Sequence, residues 1–244
     1  MSDERTGFRV QGSGFRVKMF GLNYCKSLFD VVFPPACYAC HIKLENQKDS
    51  LCPECESRLK RQSKYLMGEF PIEDISYYQV VALYHYDFMM RALISDFKFK
   101  GIKQIGRYFA DRAIDILSSE FPEILQVDAM LSIPMFSTKL RERQFNQADF
   151  LCSYISEQTG ISNMSDTIKQ IAPTPKQAKQ LRLSRMSKPE DIYEIEKNVD
   201  FSGKQILLVD DVFTTGATVN GMSKFLRNNG AERVYVLTIA AGKD

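Results

Sequence analysis

The sequence predicts an α/β protein, a mostly parallel sheet flanked by helices, with a small metal-binding module in front of it. Two observations carry this. Short apolar strands alternate with amphipathic helices after residue 64, which is the pattern of a sheet covered on both faces. Ahead of them, four of the six cysteines crowd between Cys37 and Cys55. The composition agrees with a globular chain: 244 residues, 44% apolar and 25% charged, with 32 Lys+Arg against 30 Asp+Glu for a net charge of +2. Such balance excludes a disordered tail, a fibrous rod and a protein that grips nucleic acid by bulk charge. Charges interrupt every apolar stretch before the ~20 residues a membrane span requires, so no membrane insertion is expected.

Residues 1–18 are polar, repeat the tetrapeptide Gly-Phe-Arg-Val at 7–10 and 14–17, and read as a flexible leader rather than a signal peptide. The expected compartment is therefore cytoplasmic, where clustered thiols are more often metal ligands than disulfides. From Met19 to Phe33, Phe20, Tyr24, Leu28 and Val31 follow helical spacing, and Pro34 and Pro35 would end that helix. Cys37-x2-Cys40 and Cys52-x2-Cys55 follow, separated by eleven residues. A two-residue gap lets one tight turn aim two sulfurs at one ion, and two such turns complete the tetrahedral S4 shell of structural Zn2+. The same thiols would also suit an iron–sulfur centre or a redox pair, and His41 offers a substitute ligand. Cys25 and Cys152 lie in apolar runs and read as buried small side chains.

The larger unit begins with a strand or strand pair over Tyr77–Tyr86, then helices over Met89–Phe97 and Ile105–Leu117. A short strand over Val127–Pro134 leads to a polar loop, a helix over Ala148–Gln158 and an extended segment over Ile161–Ile168. Lys176–Met186 reads as helix, Ile206–Val209 as a four-residue strand, Val219–Asn228 as helix and Val234–Ala240 as the closing strand. Ligands of such sheets bind beyond the carboxyl ends of the strands, and two loops there carry unusual chemistry.

The first is Asp210-Asp211-Val212-Phe213-Thr214-Thr215-Gly216-Ala217-Thr218. Gly216 lets successive backbone N–H groups approach an anion, and Thr214, Thr215 and Thr218 add hydroxyl donors. The following helix adds its positive N-terminal end. Adjacent carboxylates suit the two hydroxyls of a ribose, so the run describes a ribose 5-phosphate site. An acidic N-cap or a receiver-type aspartate pocket would use the same acids but not the whole Thr-Thr-Gly-x-Thr run. The run resembles the phosphoribosyl pyrophosphate (PRPP) signature of the type I phosphoribosyltransferases. That resemblance implies their fold, with Asp210 and Asp211 holding the ribose hydroxyls, directly or around Mg2+, and Thr214–Thr218 wrapping the 5-phosphate. Purine-salvage members carry an aspartate where Thr214 stands, which argues against hypoxanthine or guanine as substrate.

The second loop, Ile133–Ala148, places Lys139, Arg141 and Arg143 within five residues, a charge suited to a departing diphosphate or simply to a solvated surface. It resembles the Arg-Gly-Phe-Asn-Gln segment of the ComF family of bacterial DNA uptake. Supporting matches are the cysteine module, Phe97-Lys98-Phe99-Lys100-Gly101, and Gln177-x3-Leu181-x3-Arg185 ahead of Tyr193. Gln144 stands in place of the family glycine, and Tyr193 in place of phenylalanine. The resemblance spans residue 19 to the C-terminus. It implies a helix and zinc module over 19–65 and a phosphoribosyltransferase-like domain over 70–244. It also implies binding of PRPP or a related ribose phosphate with Mg2+, and a role in DNA uptake. The catalytic set would be Asp210, Asp211, Lys139, Arg141 and Arg143, with the acceptor unnamed. A second class of function is a non-catalytic adaptor that binds single-stranded DNA beside a DNA-uptake helicase. Lys176, Lys179, Arg182, Arg185 and Lys188, with Lys98, Lys100 and Lys103 nearby, would track phosphates or form an ordinary solvated face.

Overall fold

A computed structural model describes residues 34–46, 49–62, 75–174, 188–196 and 199–242. The expected helix over 19–33 and the basic stripe from Lys176 to Arg185 lie outside the described residues. The main sheet has four parallel strands in the order β1-β6-β5-β2: β1 (Gln79–His85), β2 (Ala129–Ser132), β5 (Gln205–Phe213) and β6 (Arg233–Ala241). The apolar runs of these strands alternate between two cores, as the two-residue period of a strand requires. Leu207, Val209, Tyr235 and Leu237 face one core with α2 (Phe88–Phe99), α3 (Lys103–Glu120) and α5 (Gln147–Thr159). Ile206, Leu208, Val234 and Val236 face the other with α6 (Ala217–Asn228), whose Val219, Met222, Phe225 and Leu226 are buried.

A two-stranded antiparallel flap, β3 (Ile168–Gln170) with β4 (Tyr193–Ile195), stands over the carboxyl end of this sheet. It is fastened to α6 by the Tyr193 and Phe225 rings, 5.7 Å apart, and by Asn228, whose Nδ2 donates to Glu190 Oε1 at 2.6 Å. Neither strand reaches four residues, and neither carries a periodic pattern of its own. The segment read as extended over 161–168 holds one parallel bridge, Asn163 to Met130, and then a 3-10 turn, Ser165–Thr167. Side chains dictate that bend: Ser165 Oγ donates to Asn163 Oδ1 at 2.6 Å and accepts from Ser132 N at 2.8 Å.

Two further boundaries differ from the sequence reading. β5 runs nine residues rather than four, because pairing with β6 continues through Asp210 to Phe213. The polar loop after β2 contains a helix, α4 (Ser137–Arg143), closed by Gln144 in the left-handed conformation at φ 67°. With Leu140 its single apolar residue, α4 has no apolar stripe by which to be read.

The cysteine module contains α1 (Pro53–Arg58) and docks on the outside of α3 and β1. Residues 60–62 run antiparallel along β1, with Gln62 N donating to Leu83 O at 3.0 Å and His85 N to Lys60 O at 2.9 Å. Tyr108 donates its hydroxyl to Glu56 Oε1 at 3.0 Å, and Ser50 donates to Gln104 O at 3.3 Å. The module thereby covers an edge strand that would otherwise expose unpaired backbone groups.

Candidate ribose-phosphate site and zinc centre

The sulfurs of Cys37, Cys40, Cys52 and Cys55 lie within 4.8 Å of one another, and Cys40 Sγ is 3.7 Å from Cys52 Sγ. Four sulfurs about 2.3 Å from one ion stand a little under 4 Å apart in a tetrahedron, so the donor set fits Zn2+. The turn that builds the first pair puts His41 at φ 61°, and Cys52 caps α1 by accepting from Cys55 N at 3.4 Å. Cys152, in contrast, is fully buried far along the chain, and burial pushes its thiol up to about 12.

At the carboxyl end of β5 the acidic pair sits between two cavities. One, about 340 Å³, is lined by Lys98, Lys139, Arg143, Asn146, Asp210 and Asp211 among others. The other, about 210 Å³, lies between the Thr214–Thr218 turn and the flap residues Ile192 and Tyr193. Asp210, Val212, Thr214 and Thr218 line both. One ligand could therefore reach from the turn, across the carboxylates, to the cationic wall.

The turn has the features of a phosphate cradle. Gly216 has φ 73° and caps α6, which begins at the next residue. A side chain there would be strained, and the first helical turn, Ala217 to Val219, lines the cavity with backbone N–H groups that have no partner four residues back along the helix. Thr215 Oγ1 accepts from Ala217 N at 3.4 Å. Phe213 is fully buried and anchors the turn, its ring edge-on to Tyr77 with 6.1 Å between ring centres, at the wall of the smaller cavity.

Electrostatics at the pair are uneven. Asp210 is pushed up to about 7, first by burial and then by the neighbouring Asp211 charge, while Lys98 and Arg143 oppose the rise. Asp211 N donates to Asp210 Oδ1 at 2.8 Å, and Asp211 Oδ2 is held by Lys98 Nζ at 2.8 Å. Above them, burial first and Asp210 second raise the Tyr193 hydroxyl.

The cationic wall is α4 seen from one side. Lys139 and Arg143 are four residues apart and share its inner face; Arg141, two steps on from Lys139, points roughly 200° away from it. Arg141 is exposed, and its Nε donates to Ser137 O at 3.4 Å. Arg143 is held in place: Nη1 donates to Gln147 Oε1 at 3.2 Å, and the guanidinium lies 5.5 Å from the Phe99 ring centre. Asn146 caps α5 by accepting from Ala148 N at 3.0 Å and donates to Ile133 O at 2.9 Å, tying α5 to the end of β2.

Of the residues singled out in the sequence, Lys139, Arg143 and the whole Asp210–Thr218 run line one or both of these cavities, and Arg141 lines neither. Lys98 belongs to the site, although the sequence placed it only in the Phe97–Gly101 stretch and beside the basic stripe, with no role at the acids. Its signal was positional: Gly101, at φ 65°, closes α2 and fixes Lys98 in the last helical turn rather than in a loop.

Residues 156–244 match the model of a phosphoribosyl transferase domain, and residues 28–65 match a double zinc ribbon domain. Competence protein F of Haemophilus influenzae is 27% identical over 221 residues, which is 84% of this chain and 96% of that protein. Competence protein ComFC of Bacillus subtilis is 28% identical, covering 80% of this chain and 78% of the relative. The DNA utilization protein YhgH of Salmonella typhimurium is 28% identical, covering 78% and 83%. Among solved structures, a purine phosphoribosyltransferase from Pyrococcus horikoshii matches with a TM-score of 0.33 and 20% identity, covering 55% of this chain and 73% of its own. An adenine phosphoribosyltransferase from Thermoanaerobacter pseudethanolicus matches with a TM-score of 0.38 and 11% identity, covering 59% and 84%. The fold is that of the type I phosphoribosyltransferases behind a zinc ribbon. Among the described residues, no helix is long and apolar enough to cross a membrane.

Proposed function

We propose, for a chain homologous to competence proteins F and ComFC and built from a zinc ribbon and a phosphoribosyl transferase domain, that it binds PRPP or a close ribose phosphate and acts in cytoplasmic handling of imported DNA. One observation carries the ligand reading. The Asp210–Asp211 pair lies between a hydroxyl- and glycine-containing turn at a helix N-terminus and a wall bearing Lys139 and Arg143.

In this reading the turn takes the 5-phosphate through backbone N–H groups and the Thr214 and Thr218 hydroxyls. Asp210 and Asp211 accept from the ribose hydroxyls, and Lys139 and Arg143 face the diphosphate. Asp210 and Asp211 are oxygen donors of the kind Mg2+ takes, and Mg2+ arriving with PRPP would neutralise diphosphate charge. Transfer breaks the bond between the anomeric carbon and the diphosphate oxygen, whose electron pair leaves with the diphosphate. The incoming nucleophile forms the new bond on the opposite face. The chain's contribution is to hold the ribose still and to stabilise charge on the leaving group.

Titration calorimetry of PRPP with Mg2+ tests the binding. The wild type should bind, and Asp210→Ala/Asp211→Ala should abolish the heat. Undiminished binding by the double variant would sink the assignment. A screen of nucleobases and amines for diphosphate release then identifies the acceptor.

A further inference from the structure

Lys98 stands outside the motifs that define the ribose-phosphate site, yet its ammonium is in direct contact with the acidic pair. The contact is 2.8 Å to Asp211 Oδ2, with the two side chains only 15% and 14% exposed. Ion pairs elsewhere, such as Arg58–Glu54 and Lys169–Glu196, lie open to solvent, where a pair contributes little. A shielded pair is different: losing one partner leaves a charge uncompensated.

The ammonium is delivered by a fixed element, not by a loose surface arm. Gly101 closes α2 three residues later. Phe97 is fully buried against Phe145 and Phe150, with ring centres 5.6 and 5.7 Å away. The Lys98 carbonyl itself accepts from the buried Gln147 Nε2 at 3.4 Å. From this support the side chain reaches into the cavity opposite Lys139 and Arg143 and rests on one of the two carboxylates.

Two adjacent carboxylates in a sheltered cleft invite a divalent cation, and here a compact monocation already occupies one of their oxygens. A bare divalent ion would have to displace it and leave the ammonium with no counter-charge. A divalent ion that arrives with a diphosphate brings the replacement oxygens with it. The geometry points to Lys98 as the resident counter-cation of the Asp210–Asp211 pair, which disfavours free divalent metal and admits it together with a diphosphate ester that draws the ammonium off Asp211. This deepens, and rests on, the ribose-phosphate reading of the site.

The test uses the full, zinc-loaded chain and Mn2+ as probe, with free Mn2+ read from its electron paramagnetic resonance signal. Without PRPP, Lys98→Met should bind Mn2+ at least about tenfold more tightly than the wild type, the scale of removing one nearby unit charge in a partly shielded site. Lys98→Arg, which keeps the charge, should stay near the wild type. Adding Asp210→Asn/Asp211→Asn to Lys98→Met should remove the gain. Lys98→Met binding Mn2+ no more tightly than the wild type, or a gain that survives loss of both acids, overturns the role of Lys98. With PRPP present, a free Mn2+ signal that the wild type lowers no further than PRPP alone does overturns the ligand reading instead, a result separate from the PRPP-free comparison.

Discussion

Gln144 holds a backbone conformation, φ 67°, that glycine enters freely and other residues enter at a cost. It does so because α4 must stop at once for Asn146 to cap α5 and aim the loop at the site. Gln144→Gly should therefore stabilise the chain, by up to about 1 kcal/mol after the greater freedom of glycine in the unfolded chain is subtracted. Urea denaturation reads this directly. Asp210 gives a second prediction. Its folded-state value, raised to about 7, exceeds the ordinary carboxylate value. Below about pH 4 the folded and unfolded chains both hold that proton. Between pH 4 and 7 the folded chain holds it longer, so this group's contribution makes stability fall as pH rises across that window. Thermal melts of Asp210→Asn against the wild type should show a smaller fall over the same range.

The packing of α3 depends on an absence of bulk. Gly106 lies in α3, and a Cβ there would stand 2.6 Å from the Phe97 ring and 2.8 Å from Phe150. The glycine lets α3 approach α2 and α5 closely, and the same Phe97 supports Lys98. Gly106→Ala should cost about 1–3 kcal/mol by overpacking, although alanine is the better helix former on propensity alone. The reverse sign in chemical denaturation would show that the rings yield. For α4 the helical phase makes a sharper statement than the charge count. Lys139→Ala and Arg143→Ala should each weaken PRPP binding by about tenfold or more, the size of losing a charged contact of about 1.5–3 kcal/mol. Arg141→Ala should leave it nearly unchanged. Equal losses from all three would mean that α4 is remodelled when ligand binds.

For the whole molecule, the zinc ribbon is both a partner and a cover. Residues 60–62 lengthen the sheet beside β1, and Glu56 links the ribbon to Tyr108 and Arg112 on α3. So small a module has little core of its own, and its four thiolates need the ion to stay together. Elemental analysis should find one zinc per chain. Chelation should lower the melting temperature of the entire chain and promote association, because it releases the β1 edge. Chelated protein that melts and migrates as the loaded form does would show that the ribbon is only an appendage.

Long apolar runs and short-range chemistry were legible without coordinates. The buried run of β5 reads as a strand in any context. The pairs Cys37–Cys40 and Cys52–Cys55 are set by two-residue turns, and the Asp210–Thr218 run carries its acids, hydroxyls and glycine contiguously. Where the pattern was short or nearly all polar, local reading failed, as at β3, β4 and α4, whose conformations are imposed by neighbours. Lys98 was misplaced because a lysine looks the same facing water as facing a carboxylate more than a hundred residues away in the chain. The sequence by itself determined the strand that presents the acids, the turn that follows and the metal ligands, since each is written in adjacent residues. Only the tertiary structure decided which cations reach those acids, because that depends on helical phase and on where α2 ends against α5.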